Sequence, residues 1–240
     1  MTPTSKKIIA LCIFSVAMAA LESAVVVYLR ALYYPDGFTV AFKLIDENIL
    51  LIEITRELAT LIMLVGVAYL TGKVRYDRFA YFLLSFAVWD IFYYVWLKVF
   101  INWPASFFEW DILFLIPITW LGPVLAPVIC SVTMILLATV ILKSKTREKF
   151  SFLIMSCLLA GIFLILFTFM QDYASLLIAT DSLSDYPQLM KSERFINAAS
   201  VYTPQSYNWF LFFLGELLIV VSIVRLHFST QHSVVAHTMI

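Results

Sequence analysis

Six charged side chains lie inside apolar segments of this 240-residue chain. They are Glu22, Glu53, Arg56, Glu57, Asp90 and Glu216. Each costs about 2.5–3.5 kcal/mol at the centre of a membrane-spanning helix, so each needs a partner or a function. Buried carboxyl groups can exchange protons, hold a cation or an amine, or act in acid–base catalysis. Five acids and one arginine cannot all be ionised there unless protons, a bound cation or water compensate the excess negative charge.

The second apolar segment gives the most specific pattern. Glu53, Arg56, Glu57 and Thr60 are three, four and seven positions apart, so they share one face of a helix. The opposite face of that helix is apolar. We therefore expect the polar face to point into a helix bundle, with Arg56 paired to a glutamate.

Three further helices would add polar groups to the same region. Asp90 shares a helix face with Tyr93, and a tyrosine hydroxyl one turn away can donate to its carboxylate. Gly215 beside Glu216 would let a neighbouring helix approach closely. Helix geometry places all the carboxyl groups within one slab, roughly 6–14 Å below the outer ends of their helices.

The predicted pocket combines these residues, and no catalytic role is assigned to any of them. It comprises Glu22, Glu53, Arg56, Glu57, Asp90, Tyr93, Tyr94 and Glu216. The alternative interpretation is structural: Arg56 would tie carboxylates of different helices together, while the remaining acids would be protonated or would reach water. No metal site and no cofactor are predicted, because the spans lack histidine and Arg56 opposes a tight metal cage.

Composition identifies the class of protein that must position these residues. Hydrophobic residues make up 62% of the chain and charged residues 13%, and the mean hydropathy is +0.94. These values exclude a disordered chain, a coiled coil and almost any soluble enzyme. The 16 basic and 16 acidic residues balance, so no overall charge favours nucleic acid as a partner. The three cysteines lie in apolar runs and are interpreted as small buried hydrophobes.

The apolar runs predict an all-α integral membrane protein with about six transmembrane helices. The runs cover 8–29, 49–70, 79–99, 112–142, 150–170 and 209–226. The fourth is too long for one upright span, and Pro117, Pro123 and Pro127 interrupt its first half. We expect a short interfacial or re-entrant helix over 106–123, followed by the true span over 123–142. A single tilted, proline-kinked helix is the alternative.

Loop charges predict the topology of one polytopic domain covering 1–240. Ten Lys and Arg residues fall on the side of the N-terminus and five on the other, which predicts cytoplasmic termini in a cell (inner) membrane. Residues 30–48 and 171–208 would be outer loops, and 227–240 a cytoplasmic tail. The first run resembles a signal peptide, but its full spanning length favours an uncleaved helix. All six tryptophans fall in the outer half, which suggests a built structure on the outer face.

Three functions are compatible with this pattern. The favoured hypothesis is binding or movement of a small solute, such as a cation, an amine or a proton-coupled substrate. The first alternative is an intramembrane acid–base enzyme acting on a lipid or isoprenoid. The second is a non-catalytic subunit or assembly factor that docks protein partners through its outer aromatic surface. Beyond the bilayer, the expected partners are therefore a small or lipid-like ligand or other proteins.

Overall fold

A computed structural model describes residues 3–35, 37–38, 46–144, 151–181, 192–204 and 206–238, with side chains for those between 4 and 228. Within these ranges the chain forms helices and one two-stranded sheet. The elements are α1 (Pro3–Tyr33), α2 (Glu47–Thr71), α3 (Arg75–Ile101), β1 (Trp110–Phe114), β2 (Trp120–Pro123), α4 (Leu125–Lys143), α5 (Phe152–Ala179), α6 (Glu193–Ser200) and α7 (Trp209–Thr238).

Five of these helices, α1, α3, α4, α5 and α7, are long and apolar enough to cross a membrane. Helices of this length and composition identify a membrane-embedded, multi-pass helical protein. The one remaining predicted span, the second apolar run at 49–70, corresponds to α2, which has 25 residues but carries Glu47, Glu53, Arg56 and Glu57 in its first half. That α2 is a sixth span is therefore not shown. The sixth span stays a prediction, as do the sidedness of the bundle and the assignment of its loops and tail.

The helices begin and end where local chemistry allows. α3 ends at Ile101, and the C-cap residue that follows, Asn102, adopts a left-handed conformation with φ of 54°. α5 begins after Ser151, whose hydroxyl accepts a hydrogen bond from the Ile154 N–H. α5 and α7 run well beyond the ends of their apolar segments, to Ala179 and Thr238. Both extensions enter regions that the sequence assigned to a loop and a tail.

The prediction of a short helix over 106–123 is wrong, because this segment contains an antiparallel β-hairpin. Proline explains the difference, since it cannot continue a helical hydrogen-bond ladder and is tolerated at loops and strand ends. Pro117 lies in the loop between the strands, and Pro123 is the last residue of β2. The alternative of one kinked helix is also wrong. The span after the hairpin, α4, matches the predicted 123–142.

The helix order explains how open space arises in the bundle. α3 packs against α1, α2 and α4; α4 packs against α7; and α7 packs against α5. α3 and α5 are not among the closely packed helix pairs of the described chain. The hairpin covers one end of the bundle, with β2 against α4 and α5. We call this the hairpin end; a cluster of buried apolar residues that includes Leu11, Ala80, Ile141 and Leu226 occupies the other end.

Candidate functional site

Two cavities meet near the hairpin end. The large cavity has a volume of about 660 Å³ and lies between α3, α4, α5, α7 and the hairpin. The small cavity has a volume of about 50 Å³ and lies between α1, α2, α3 and β1. The residues that line both are Trp89, Asp90, Leu113 and Phe114. Asp90 therefore stands at the boundary between an apolar space and a polar one.

The wall of the large cavity is apolar over most of its length. Helix periodicity builds it, because residues three or four apart on one helix face the same space. The stripe on α3 consists of Tyr76, Phe79, Leu83 and Phe86. The stripe on α4 consists of Pro127, Cys130, Met134 and Leu137. Such a wall suits a hydrocarbon chain rather than a hydrated solute.

The large cavity opens to the side of the bundle. Four of its lining residues, Phe79, Met155, Leu159 and Ile162, are also between 41% and 58% exposed on the protein surface. They lie on α3 and α5, away from the hairpin end. α3 and α5 are both long and apolar enough to span a membrane, so this opening lies on a surface of the kind that contacts lipid.

The polar groups of the large cavity lie towards the hairpin end and are held by α4. Ser131 donates a hydrogen bond to Asp90 Oδ2 at 2.8 Å, and Thr133 donates to Glu216 Oε2 at 2.7 Å. Because Ser131 and Thr133 are two positions apart on α4, their hydroxyls point to different sides of the helix. α4 thus holds an acid of α3 on one side and an acid of α7 on the other. The Cys130 thiol, a weak donor, also lies beside Glu216.

Several buried polar atoms around this cavity lack a hydrogen-bond partner in the described part of the chain. They are Trp89 Nε1, Trp120 Nε1 and Glu216 Oε1, and all three residues line the large cavity. Glu216 is only 6% exposed. An unpaired buried polar group costs about 1–3 kcal/mol, so a ligand that supplied partners would be bound more tightly.

The small cavity is built around Arg56. Its guanidinium forms ion pairs with Glu22 of α1 and with Glu53, three residues earlier on α2, where the N–O distance is 2.8 Å. Thr60 adds a hydrogen bond to Glu22 Oε2 at 3.2 Å. Glu57 points to the hairpin instead and accepts the Leu115 N–H at 2.9 Å. The polar face of α2 therefore links α2 to α1 and to the loop of the hairpin.

The structure divides the predicted pocket between the two cavities. Around the small cavity it brings together Glu22, Arg56, Glu57, Asp90, Tyr93 and Tyr94. Glu53 contacts this group through Arg56, whereas Glu216 lines the large cavity. Asp90 takes its hydrogen bond from Ser131 rather than from a tyrosine of its own helix. That these residues serve a function stays a prediction.

Sequence reasoning missed a second buried ion pair. Arg30 at the end of α1 donates to Asp111 of β1 at 2.8 Å, with side-chain exposures of 9% and 2%. The guanidinium lies 3.9 Å from the ring centre of Phe38 and 3.8 Å from that of Trp103. Burial raises the pKa of Asp111, and Arg30 opposes this increase. The two partners are 81 positions apart in the sequence, so no local spacing pattern could have revealed the pair.

Replacing Arg56 by methionine should lower the free energy of unfolding by about 1.5–3 kcal/mol, because Glu22 and Glu53 lose a charged donor while remaining largely buried. Adding Glu22→Gln to this variant should restore part of the loss. Thermal unfolding of the detergent-solubilised protein measures both effects. Equal stability of wild type and the single variant would contradict a structural role for the cluster.

No protein-family model, no curated protein and no solved structure matches this chain. Function must therefore be inferred from the two cavities and the residues around them.

Proposed function

We propose that this protein binds a small lipid-like molecule from the bilayer, with the apolar part of the molecule in the large cavity and its polar part at the hairpin end. The observation that carries the proposal is a cavity of about 660 Å³ that is apolar along its wall and carries two carboxyl groups, Asp90 and Glu216. Ligand pockets commonly have volumes of about 300–1,000 Å³.

Volume favours the large cavity over the small one as the ligand site. The small cavity, at about 50 Å³, is far smaller than the roughly 300–1,000 Å³ of common ligand pockets. Its polar residues are suited to water, a proton or a small cation, but no organic solute fits among them. The favoured hypothesis of solute binding thereby narrows to a molecule that tolerates an apolar wall.

The route of entry supports the same choice. The exposed lining residues of α3 and α5 place the mouth where lipid contacts the bundle. A hydrated solute would have to cross this apolar mouth and lose its water, whereas an amphipathic molecule already in the bilayer would not. Its polar end would then lie beside Trp120 and Glu216, which line this part of the cavity and each carry a buried atom without a hydrogen-bond partner in the described chain.

The proposal can be tested at the mouth of the cavity with two neighbouring residues of α5. Ile162 lines the cavity and is 44% exposed, while Phe163 is 70% exposed and is not among the lining residues. The variant Ile162→Trp should narrow the mouth without filling the protein core, and Phe163→Trp is the matched control. We expect native mass spectrometry of wild type to show a lipid-like molecule retained after mild extraction, reduced several-fold in Ile162→Trp alone.

The identity of the retained molecule would separate the three functional hypotheses. The same lipid-like molecule in the protein and in the membrane favours binding or transport. A molecule that is chemically altered relative to the membrane pool favours the acid–base enzyme. A stoichiometric second polypeptide with no retained ligand would favour the subunit hypothesis. Retention of bulk lipids in equal amounts by wild type and both variants would refute specific binding in the cavity.

A further inference from the structure

We infer that the lipid-like molecule carries a positively charged amine head group, bound at the hairpin end of the large cavity, where Asp90 and Glu216 line its wall. This inference rests on the proposed function and adds the chemical class of the ligand. It follows from the charges and ring faces around the hairpin end of the large cavity.

The carboxyl groups have no basic residue beside them on the cavity wall. Among the described lining residues, the one with a basic side chain is Arg75. It stands fifteen positions before Asp90 on α3, roughly 22 Å away along the helix axis. Arg56 lies on the far side of Asp90, in the small cavity, where it pairs with Glu22 and Glu53. A ligand cation would supply the missing counter-charge.

The hydrogen bonds to the two acids leave one carboxylate oxygen without a partner. Ser131 and Thr133 each donate to one oxygen of their acid, and Oε1 of Glu216 has no hydrogen-bond partner in the described chain. Glu216 is 6% exposed, so bulk water does not satisfy this oxygen. An ammonium group provides both the positive charge and the N–H donors that a buried carboxylate accepts.

Aromatic rings surround the same end of the cavity. The rings of Phe114 and Trp120 lie 5.5 Å apart, and those of Trp120 and Phe169 stack at 6.1 Å. All three residues line the cavity. Aromatic faces attract ammonium groups, including quaternary ones that cannot donate a hydrogen bond. Rings and carboxylates together favour a cation over a neutral or anionic head group of the same chain length.

The test compares head groups on one constant tail. The full chain is placed in nanodiscs of phosphatidylcholine, and quenching of tryptophan fluorescence is followed as amphiphiles with the same brominated alkyl chain are added. The probes are a primary alkylammonium, a fatty alcohol and an alkyl sulfate. Trp89 and Trp120 line the cavity, so a bromine atom seated there quenches them. We expect the ammonium to quench at about tenfold lower mole fraction than the alcohol, and the sulfate to be weakest.

Variants assign the preference to the two acids. Asp90→Asn and Glu216→Gln keep the side-chain shape, and each should reduce the ratio between quenching by the ammonium and quenching by the alcohol. Glu47→Gln makes the same chemical change at an exposed position of α2, and it controls for attraction of cations to the membrane surface. Each variant is first checked for a monodisperse, folded profile.

The outcomes distinguish the two proposals. Equal quenching by ammonium and alcohol in wild type, or a preference that survives both cavity variants, would overturn the amine assignment while leaving lipid-like binding intact. Preferential quenching by the sulfate would do the same. No saturable quenching by any probe would refute the proposed function itself. If one variant fails to fold, the comparison of the three probes in the wild-type protein still tests the amine assignment.

Discussion

Replacing Asp111 by alanine is expected to lower the free energy of unfolding by about 3–5 kcal/mol, which is the usual effect of removing one partner of a buried ion pair. Arg30 would be left 8% exposed beneath the hairpin, with no carboxylate to neutralise it. The contacts with Phe38 and Trp103 would offset only a small part of this loss.

Removing the other partner of the pair, by Arg30→Met, should lower the free energy of unfolding by a smaller amount. The size of this loss should depend on pH. Asp111 would lose its counter-charge, but a buried carboxyl can take up a proton. Burial already raises the pKa of Asp111 with Arg30 present, and removing Arg30 should raise it further. Because the folded state then binds the proton more tightly than the unfolded state, stability is greatest at low pH. It falls as the pH rises from the unfolded value, about 3.9, through the raised folded value.

Thermal unfolding followed by circular dichroism in one detergent, at several pH values, measures both effects. Glu109→Gln is the matched control. It neutralises a carboxyl group that lies just before β1 and is not fully buried. The double variant Arg30→Met/Asp111→Leu should recover stability relative to Asp111→Ala, because it removes both charges. An Asp111→Ala protein that unfolds at the wild-type temperature would show that the pair contributes little.

The sequence predicted those features that one segment determines by itself. Apolar runs of spanning length gave the long helices, and the spacing of Glu53, Arg56 and Glu57 indicated which face of α2 points inwards. Both rest on the helical period, which local sequence carries. The sequence also suggested a built structure on the outer face, where it placed the tryptophans. The hairpin contains Trp110 and Trp120, while its sidedness stays a prediction.

What the sequence could not predict depends on contacts between distant segments. The prolines near 117–127 marked an interruption, but interruption alone does not distinguish a re-entrant helix from a hairpin. The large cavity exists because α4 and α7 lie between α3 and α5, an order that no single segment encodes. The division of the acids between two cavities follows from that order, because α7 carries Glu216 away from α1 and α2.

The crossing of α5 and α7 is the second place where a single change should have a large effect. A Cβ atom added to Gly161 would lie 2.6 Å from the Gly215 carbonyl oxygen and 2.7 Å from Ile219 Cγ1. The first of these is backbone and cannot rotate away, so the helices would have to separate. We expect Gly161→Ala to destabilise the protein by about 1–3 kcal/mol and Gly161→Leu by about 3 kcal/mol or more.

Gly66 on α2 provides the matched control, because a Cβ atom built there meets nothing within 4 Å. Gly66→Ala should be neutral or slightly stabilising, since alanine favours helix by about 1 kcal/mol over glycine. Thermal unfolding compares the pair directly. The Gly161 variants should also release the retained ligand, because Ile165 and Ile219 beside this crossing line the large cavity. Loss of stability with full ligand retention would mean that the α5–α7 contact holds the fold but does not shape the binding site.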